Sequence, residues 1–211
     1  MRERIGIVDY GVGNMRSITR AVMTCSDHVT IADTPAKLKQ CDRIILPGVG
    51  AFSACMQQLI ACGMRDALLA RIGHVPVLGI CVGMQILFSR GLEHGIHAGL
   101  GVIDGDVTAL TVMPGFSMTR KVPNIGWRSV QHNEHMLFAD IPNKSHFYFV
   151  HGYAVADTTG ATIATTEYDV VFAAAVAHGV TLGTQFHPEK SADGGLRLLH
   201  NFCTQDFACE S

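Results

Sequence analysis

The sequence predicts an α/β fold, with a doubly wound, mostly parallel sheet carrying helices on both faces and a smaller antiparallel or mixed sheet in the second half. Three observations predict it. Short β-branched runs alternate with amphipathic stretches as far as Phe88, and turn-bounded strands replace that rhythm after Gly91. A chain of 211 residues, 48% hydrophobic and 16% charged, also has enough apolar surface for one well-buried core, so a single domain over 1–211 is expected.

In order, the expected strand–helix pairs are Arg4 to Tyr10 with Asn14 to Cys25, His28 to Ala32 with Pro35 to Cys41, and Arg43 to Leu46 with Ala51 to Ile72. A further strand, Val75 to Ile80, runs straight into Cys81 and a helix from about Val82 to Phe88. The likeliest later strands are Gly101 to Leu110, Arg120 to Val122, His146 to Ala154 and Ala161 to Thr166. Val171 to Ala177 and Val180 to Phe186 form a hairpin joined at His178-Gly179, where glycine can supply a positive φ. A last helix, near Gly194 to Phe207, follows Ser191-Ala192-Asp193, whose polar side chains suit an N-cap. No repeat, low-complexity tract or linker interrupts this order.

A net charge of −2 gives no bulk attraction to nucleic acid or an anionic membrane, which leaves protein as the expected surface partner. The seven cysteines (Cys25, Cys41, Cys55, Cys62, Cys81, Cys203, Cys209) are odd in number and form no CxxC pair; most lie in apolar stretches, which points to a reducing cytoplasm. The N-terminal apolar run breaks at once into Asp9 and Gly11, so no targeting or membrane segment is expected. No metal site and no cofactor is expected.

Chemistry concentrates at Cys81. In Gly79-Ile80-Cys81-Val82-Gly83-Met84-Gln85 the cysteine ends a strand and opens a helix with a glycine two residues to each side, as in a nucleophile elbow. Such a turn exposes the sulfur, sets the positive end of a helix beside it and aims the Val82 N–H at a developing oxyanion. A lone cysteine is otherwise a small core hydrophobe, and the glycines and the preceding strand tip the balance. An amide-cleaving thiolate needs a proton shuttle, and His187, at the end of a strand and followed by Pro188-Glu189, is the best candidate, with Glu189 to hold its tautomer. Of the other histidines, His28, His74, His94, His97, His132, His135, His178 and His200 read as surface or turn residues, and His146 and His151 as structural.

Leu46-Pro47-Gly48-Val49-Gly50-Ala51-Phe52 follows a strand and opens a helix, a backbone N–H cradle without a P-loop's Gly-Lys-Ser/Thr ending; the second half of an oxyanion hole fits it better. Gly11 to Asn14 is too short for a dinucleotide fingerprint, and Asn14 is open between a helix N-cap and a place at the site. Gln85, one helical turn beyond Cys81, shares its face, although a solvated glutamine would look the same.

With GICVGMQ, HPEKS and PGVGAF in one chain, the sequence resembles the class I, triad glutamine amidotransferases over essentially its whole length, and within them the glutaminase subunits of imidazole glycerol phosphate synthase. The narrower likeness rests on DYGVGNMRS, LPGVGAF, Gly126-Trp127 and YFVHGY followed by QFHPEKS. The resemblance implies a flavodoxin-like sheet, L-glutamine as substrate and a heterodimer with a (β/α)8-barrel cyclase subunit that spends the ammonia on a phosphoribulosyl formimino nucleotide. It makes Cys81 the nucleophile, His187 the base and then the acid, and Glu189 its orienter. Val49, Gly50 and Val82 become backbone oxyanion donors, and Gln85 and Glu93 hold glutamine. Lys190, Tyr148 and Trp127 fall near the cyclase interface, where Trp127 could equally be ordinary core. Three places depart from the family: Pro123-Asn124-Ile125-Gly126-Trp127 for Pro-His-Met-Gly-Trp, His151-Gly152-Tyr153 for His-Ser-Tyr, and Val82 for the commoner Leu. They bear on glutamine positioning and partner choice and leave room for a paralogue feeding another synthase. A cysteine peptidase-like relative and a non-catalytic subunit are the competing readings; the HPE and Gln85 speak against the first, and the intact Cys81 and His187 against the second.

Overall fold

In the computed structural model residues 3–156 and 160–207 are described; Cys209 lies outside the described residues. The first half keeps the expected alternation. β1 (Ile5–Val8) leads through α1 (Met15–Met23) to β2 (Val29–Ala32), and α2 (Pro35–Leu38) precedes β3 (Arg43–Gly48). α3 (Phe52–Ala61) and α4 (Met64–Leu69) then lead to β4 (Val77–Cys81), which α5 (Val82–Gln85) follows at once. Asn14 caps α1, its side chain accepting from Ser17 N, and Thr34 caps α2 ahead of Pro35. α1 buries Ile18, Ala21 and Val22, the three- and four-residue spacing of one helical face.

Two helices differ from expectation. Ala51 to Ile72 is not one helix, because Gly63 at φ +70 takes the left-handed conformation that ends α3 and lets α4 start on a new axis. The helix expected to reach Phe88 stops at Gln85, and Phe88–Gly91 is β5. Ile86, Leu87 and Phe88 are all fully buried, so the segment has no polar side to turn to solvent and is threaded through the core instead.

The second half runs β6 (His97–Ala98), β7 (Ile103–Ala109), β8 (Asn124–Ser129), β9 (Gln131–His132), β10 (His146–His151), β11 (Tyr153–Val155), β12 (Thr162–Tyr168), β13 (Val170–His178), β14 (Thr181–Thr184) and α6 (Ala192–Thr204). The strand expected at Arg120 to Val122 is absent: those residues are exposed, and pairing begins only after Pro123, which has no N–H to give a ladder. The strand expected from His146 to Ala154 is two, broken at Gly152, with β10 on β8 and β11 on β7.

The main sheet has the order β2-β1-β3-β4-β14-β13-β12-β9. Its first five strands are parallel and its last three antiparallel, so the predicted hairpin extends the main sheet rather than joining the smaller one. The second-half sheets are β10-β8, antiparallel, and the mixed β11-β7-β5-β6. The helices pack as two groups, α1 with α6 in one, and α2, α4, α3 and α5 in succession in the other. On β10 the buried positions alternate as Phe147, Phe149 and His151. Phe147 and Phe149 meet Phe186, with ring centroids 4.2 and 5.6 Å away, and Phe149 meets Phe172 at 6.1 Å. Each ring contributes about 1.5–3 kcal/mol by burial, and together they fix the chain that ends at His187.

Candidate functional site

Cys81 is the last residue of β4, paired with Gly48 of β3, and its φ of 55 with ψ of −112 lies where a side chain is strained, at a cost of order 1–3 kcal/mol. Close packing holds it there. A Cβ on Gly83 would stand 1.9 Å from Leu46 O, one on Gly79 2.5 Å from Gly83 O, and one on Gly48 2.4 Å from Gly83 N. The glycines flanking Cys81 therefore let the α5 backbone rest directly on β3 and β4, and Gly48 of the PGVG segment is a third member of that contact. As α5 is a single turn, its N-terminus acts through the aim of its N–H groups more than through a summed dipole.

A cavity of about 310 Å³ opens at this turn, lined by Val49, Gly50, Cys81, Val82, Gln85, Glu93 and His187 together with Pro123, Val150, His151, Gly152 and Tyr153. It is the size of a small-molecule site. Gly50 has φ +88, and the Val49 carbonyl accepts from Cys55 Sγ at 3.5 Å. Glu93 Oε2 accepts from Phe52 N at 2.9 Å, so the carboxylate that faces the cavity also caps the helix that follows the PGVG segment. Behind His187 a much smaller cavity is bordered by Asn14, Pro47, Gly48 and Glu189, so Asn14 both caps α1 and lies at the rear of the histidine–carboxylate pair.

His187 stands three residues beyond the end of β14. Its N–H donates to Tyr148 O at 2.9 Å, while Ser191 Oγ donates to His187 O at 2.6 Å and accepts from Tyr148 N at 2.9 Å. Ser191 thus tethers the turn to β10 and makes no side-chain cap on α6, unlike the N-cap expected of it. His187 Nδ1 donates to Glu189 Oε1 at 2.8 Å, with the two side chains 3% and 4% exposed. Burial pushes the imidazole pKa down, but Cys81 and the Glu189 carboxylate beside it more than reverse this and lift it to about 9. Nε2, the nitrogen turned from Glu189, has no hydrogen-bond partner among the described residues.

Four polar residues that the motifs did not single out as site residues support the site, His151 in the cavity wall and Arg128, Asn124 and Gln185 in the hydrogen bonds behind it. Arg128 Nε donates to Asn124 Oδ1 at 3.0 Å, and Asn124 Nδ2 meets His151 Nε2 at 3.1 Å. His151 Nδ1 in turn meets Tyr153 O at 2.9 Å. Since Tyr153 O only accepts, the proton sits on Nδ1 and Nε2 accepts from Asn124. Burial holds the ring pKa down to about 4, so it is neutral. Tyr153 O also accepts from Gln85 Nε2 at 2.9 Å, which reaches Gln185 Oε1 at 2.9 Å; Gln185 Nε2 lies 3.8 Å from Cys81 Sγ. A polar residue at the end of an apolar strand was the available signal for Gln185, and Asn124 stood in a segment noted only for its departure.

Trp127, Tyr148 and Lys190 do not line this cavity. They form one cluster of their own, with the Trp127 and Tyr148 rings 6.1 Å apart edge to face and Lys190 Nζ 5.9 Å from the Tyr148 ring. Trp127 is 46% exposed and is not core. Because Tyr148 O holds the His187 amide, this surface is one residue away from the site. Among the described residues no group of three or more His, Cys, Asp or Glu could hold a metal, and no helix is long and apolar enough to cross a membrane.

Residues 6–205 match the family model "Glutamine amidotransferase class-I". The chain is 43% identical over 200 residues to the imidazole glycerol phosphate synthase subunit HisH of Sulfurimonas denitrificans, covering 94% of this chain and 96% of that protein. It is likewise 43% identical over 202 residues to the subunit of the same name from Desulfitobacterium hafniense, covering 94% and 92%. The solved structure of PurLQS from Thermotoga maritima matches with a TM-score of 0.71 at 18% identity, over 96% of this chain and 98% of that one, a likeness of fold.

Proposed function

The chain belongs to the class-I glutamine amidotransferases, in the branch of the imidazole glycerol phosphate synthase HisH subunits, and from that premise we propose that it hydrolyses L-glutamine and passes the ammonia to a separate cyclase subunit in histidine biosynthesis. The observation that carries the reading is His187, held from behind by Glu189, on the same cavity wall as the strained Cys81.

In this mechanism His187 takes the Cys81 thiol proton, Sγ attacks the side-chain amide carbon of glutamine, and the carbonyl oxygen takes the negative charge beneath the N–H groups of Val82 and of Val49 or Gly50. His187 protonates the amide nitrogen, the C–N bond breaks, and ammonia leaves a thioester on Cys81. His187 then takes a proton from a water molecule whose oxygen attacks the thioester, and returns it to the departing sulfur, releasing glutamate and the thiol. Glu189 holds the Nδ1–H and so keeps Nε2 available for both transfers. Gln85 and Glu93 hold the substrate. Trp127, Tyr148 and Lys190 form part of the face for a (β/α)8-barrel partner, in a cytoplasmic heterodimer whose glutaminase half is one domain over 1–211.

A glutaminase assay with and without the cyclase subunit of imidazole glycerol phosphate synthase and its nucleotide ligand tests this. Hydrolysis should be slow alone, rise with the loaded partner, and vanish in Cys81→Ala. Undiminished ammonia release by Cys81→Ala would sink the proposal.

A further inference from the structure

Gln185 touches both the sulfur and a cavity-wall side chain that the glutaminase reading assigns to substrate. It is fully buried, two residues before His187, and its N–H donates to Ala174 O at 2.8 Å. A primary amide so placed is costly to bury unless its polar ends are bonded, and both of them are engaged here.

The neighbours determine which way the amide faces. Gln85 Nε2 stands 2.9 Å from the Tyr153 carbonyl, which can only accept, so Gln85 presents its NH2 group on that side. That same nitrogen is 2.9 Å from Gln185, which must answer it with its own oxygen. The Gln185 NH2 is left facing Cys81 Sγ at 3.8 Å, a donor whose orientation is inherited from a main-chain carbonyl two side chains away.

We infer that Gln185 is a positioning residue that holds an N–H donor on the Cys81 sulfur and links the nucleophile to Gln85. A donor in that place stabilises the sulfur while it is anionic, before attack and again when the thioester is cleaved, because a hydrogen bond to an ion is about twice as strong as one between neutral groups. An acceptor there would oppose the anion. The inference rests on the reading of Cys81 as nucleophile.

The test is the rate of Cys81 alkylation by iodoacetamide as a function of pH, read on the Cys81 peptide by mass spectrometry in the full chain. Gln185→Met keeps length and removes both polar ends, and Gln185→Glu keeps shape and replaces the donor with an acceptor. In Gln185→Met the rate at pH 7 should fall roughly tenfold, the size of one hydrogen bond to a charged group, and the midpoint of the pH profile should rise. Gln185→Glu should fall further. Unchanged rate and midpoint in a variant with a wild-type melting curve would overturn the inference. A second measurement needs no change at Gln185: its side-chain 15N resonance should move with the alkylation midpoint in the wild-type chain and stay flat in Cys81→Ala, and a resonance indifferent to both overturns the inference even where the variants do not fold. Neither measurement uses glutamine or a partner, so a chain that passes them without hydrolysing glutamine loses the glutaminase reading and keeps this one.

Discussion

Two buried histidines line the same cavity, His187 in the turn after β14 and His151 at the break between β10 and β11, and their surroundings move their pKa values in opposite directions. Each is bonded through Nδ1, His187 to the Glu189 carboxylate at 2.8 Å and His151 to the Tyr153 carbonyl at 2.9 Å. Burial lowers both pKa values. For His187 the proximity of Cys81 and Glu189 overcomes it and raises the value to about 9. For His151 burial wins over the Tyr153 carbonyl, which is neutral and raises the value only in part; the His187 and Arg128 charges add to burial, and the value falls to about 4. The charge of the partner, more than depth in the core, decides whether a buried imidazole is a cation. In the proposed mechanism one histidine moves a proton, while the other stays neutral in a wall.

The largest effect expected from that contrast is on catalysis. His187→Asn should lower partner-stimulated glutamine hydrolysis by about 10³-fold or more, the scale on which losing a triad member is felt. His151→Gln, a neutral side chain for a neutral one, should cost less than about tenfold. Steady-state kcat for the two variants separates them, and equal losses would break the distinction.

The next effect is on stability as pH changes. His187 has its folded pKa above the ordinary 6.5, so its contribution is complete below pH 6.5 and is lost as pH rises toward about 9. His151 has its folded pKa below 6.5; the unfolded chain binds the proton first, so stability is lost as pH falls from 6.5 toward about 4. Each shift corresponds to about 3 kcal/mol when fully developed. Denaturant melts across this range should show two limbs. His151→Gln should remove its share of the acid limb alone, and Cys81→Ala should shrink the alkaline one, because Cys81 is among the groups that raise His187.

These two histidines also mark how far the sequence could be read. Cys81 was legible because its neighbours are local: β4, Gly79 and Gly83 lie within the same motif and their spacing has a steric reason. His187 was legible from its strand end and the adjoining Pro188-Glu189. The βα alternation up to β4 was legible because each helix carries its own periodicity, while the break at Gly63 and the early end of α5 were hidden in apolar runs that continue past them. The polar network in and behind the cavity wall was illegible for a different reason. Asn124, His151 and Gln185 owe their roles to partners 27 residues apart in the first pair and 100 residues from Gln85 in the last, and no local pattern encodes such contacts. Ser191 shows the same limit, since its hydroxyl serves His187 and Tyr148 rather than the helix it precedes.

The smallest effect, and the finest probe of the contrast, is at Asn124. Arg128 Nε holds Asn124 Oδ1 at 3.0 Å, so the amide cannot turn over without losing that bond, and it presents an N–H to His151 Nε2 at all times. That N–H suits a neutral ring and repels a protonated one. Asn124→Ala leaves the His151 lone pair bare, at a cost of about 1–2 kcal/mol at pH 7. Arg128 should stay in place through Trp127 O at 2.9 Å and the Tyr168 ring at 4.7 Å, which keeps the damage local. At pH 5 the cost should be smaller, because the variant no longer opposes the His151 proton and gives up part of the acid limb. The gap between variant and wild-type melting curves should therefore narrow from pH 7 to pH 5; a gap that widens would mean that Asn124 accepts from a protonated His151 and that the wall is charged after all.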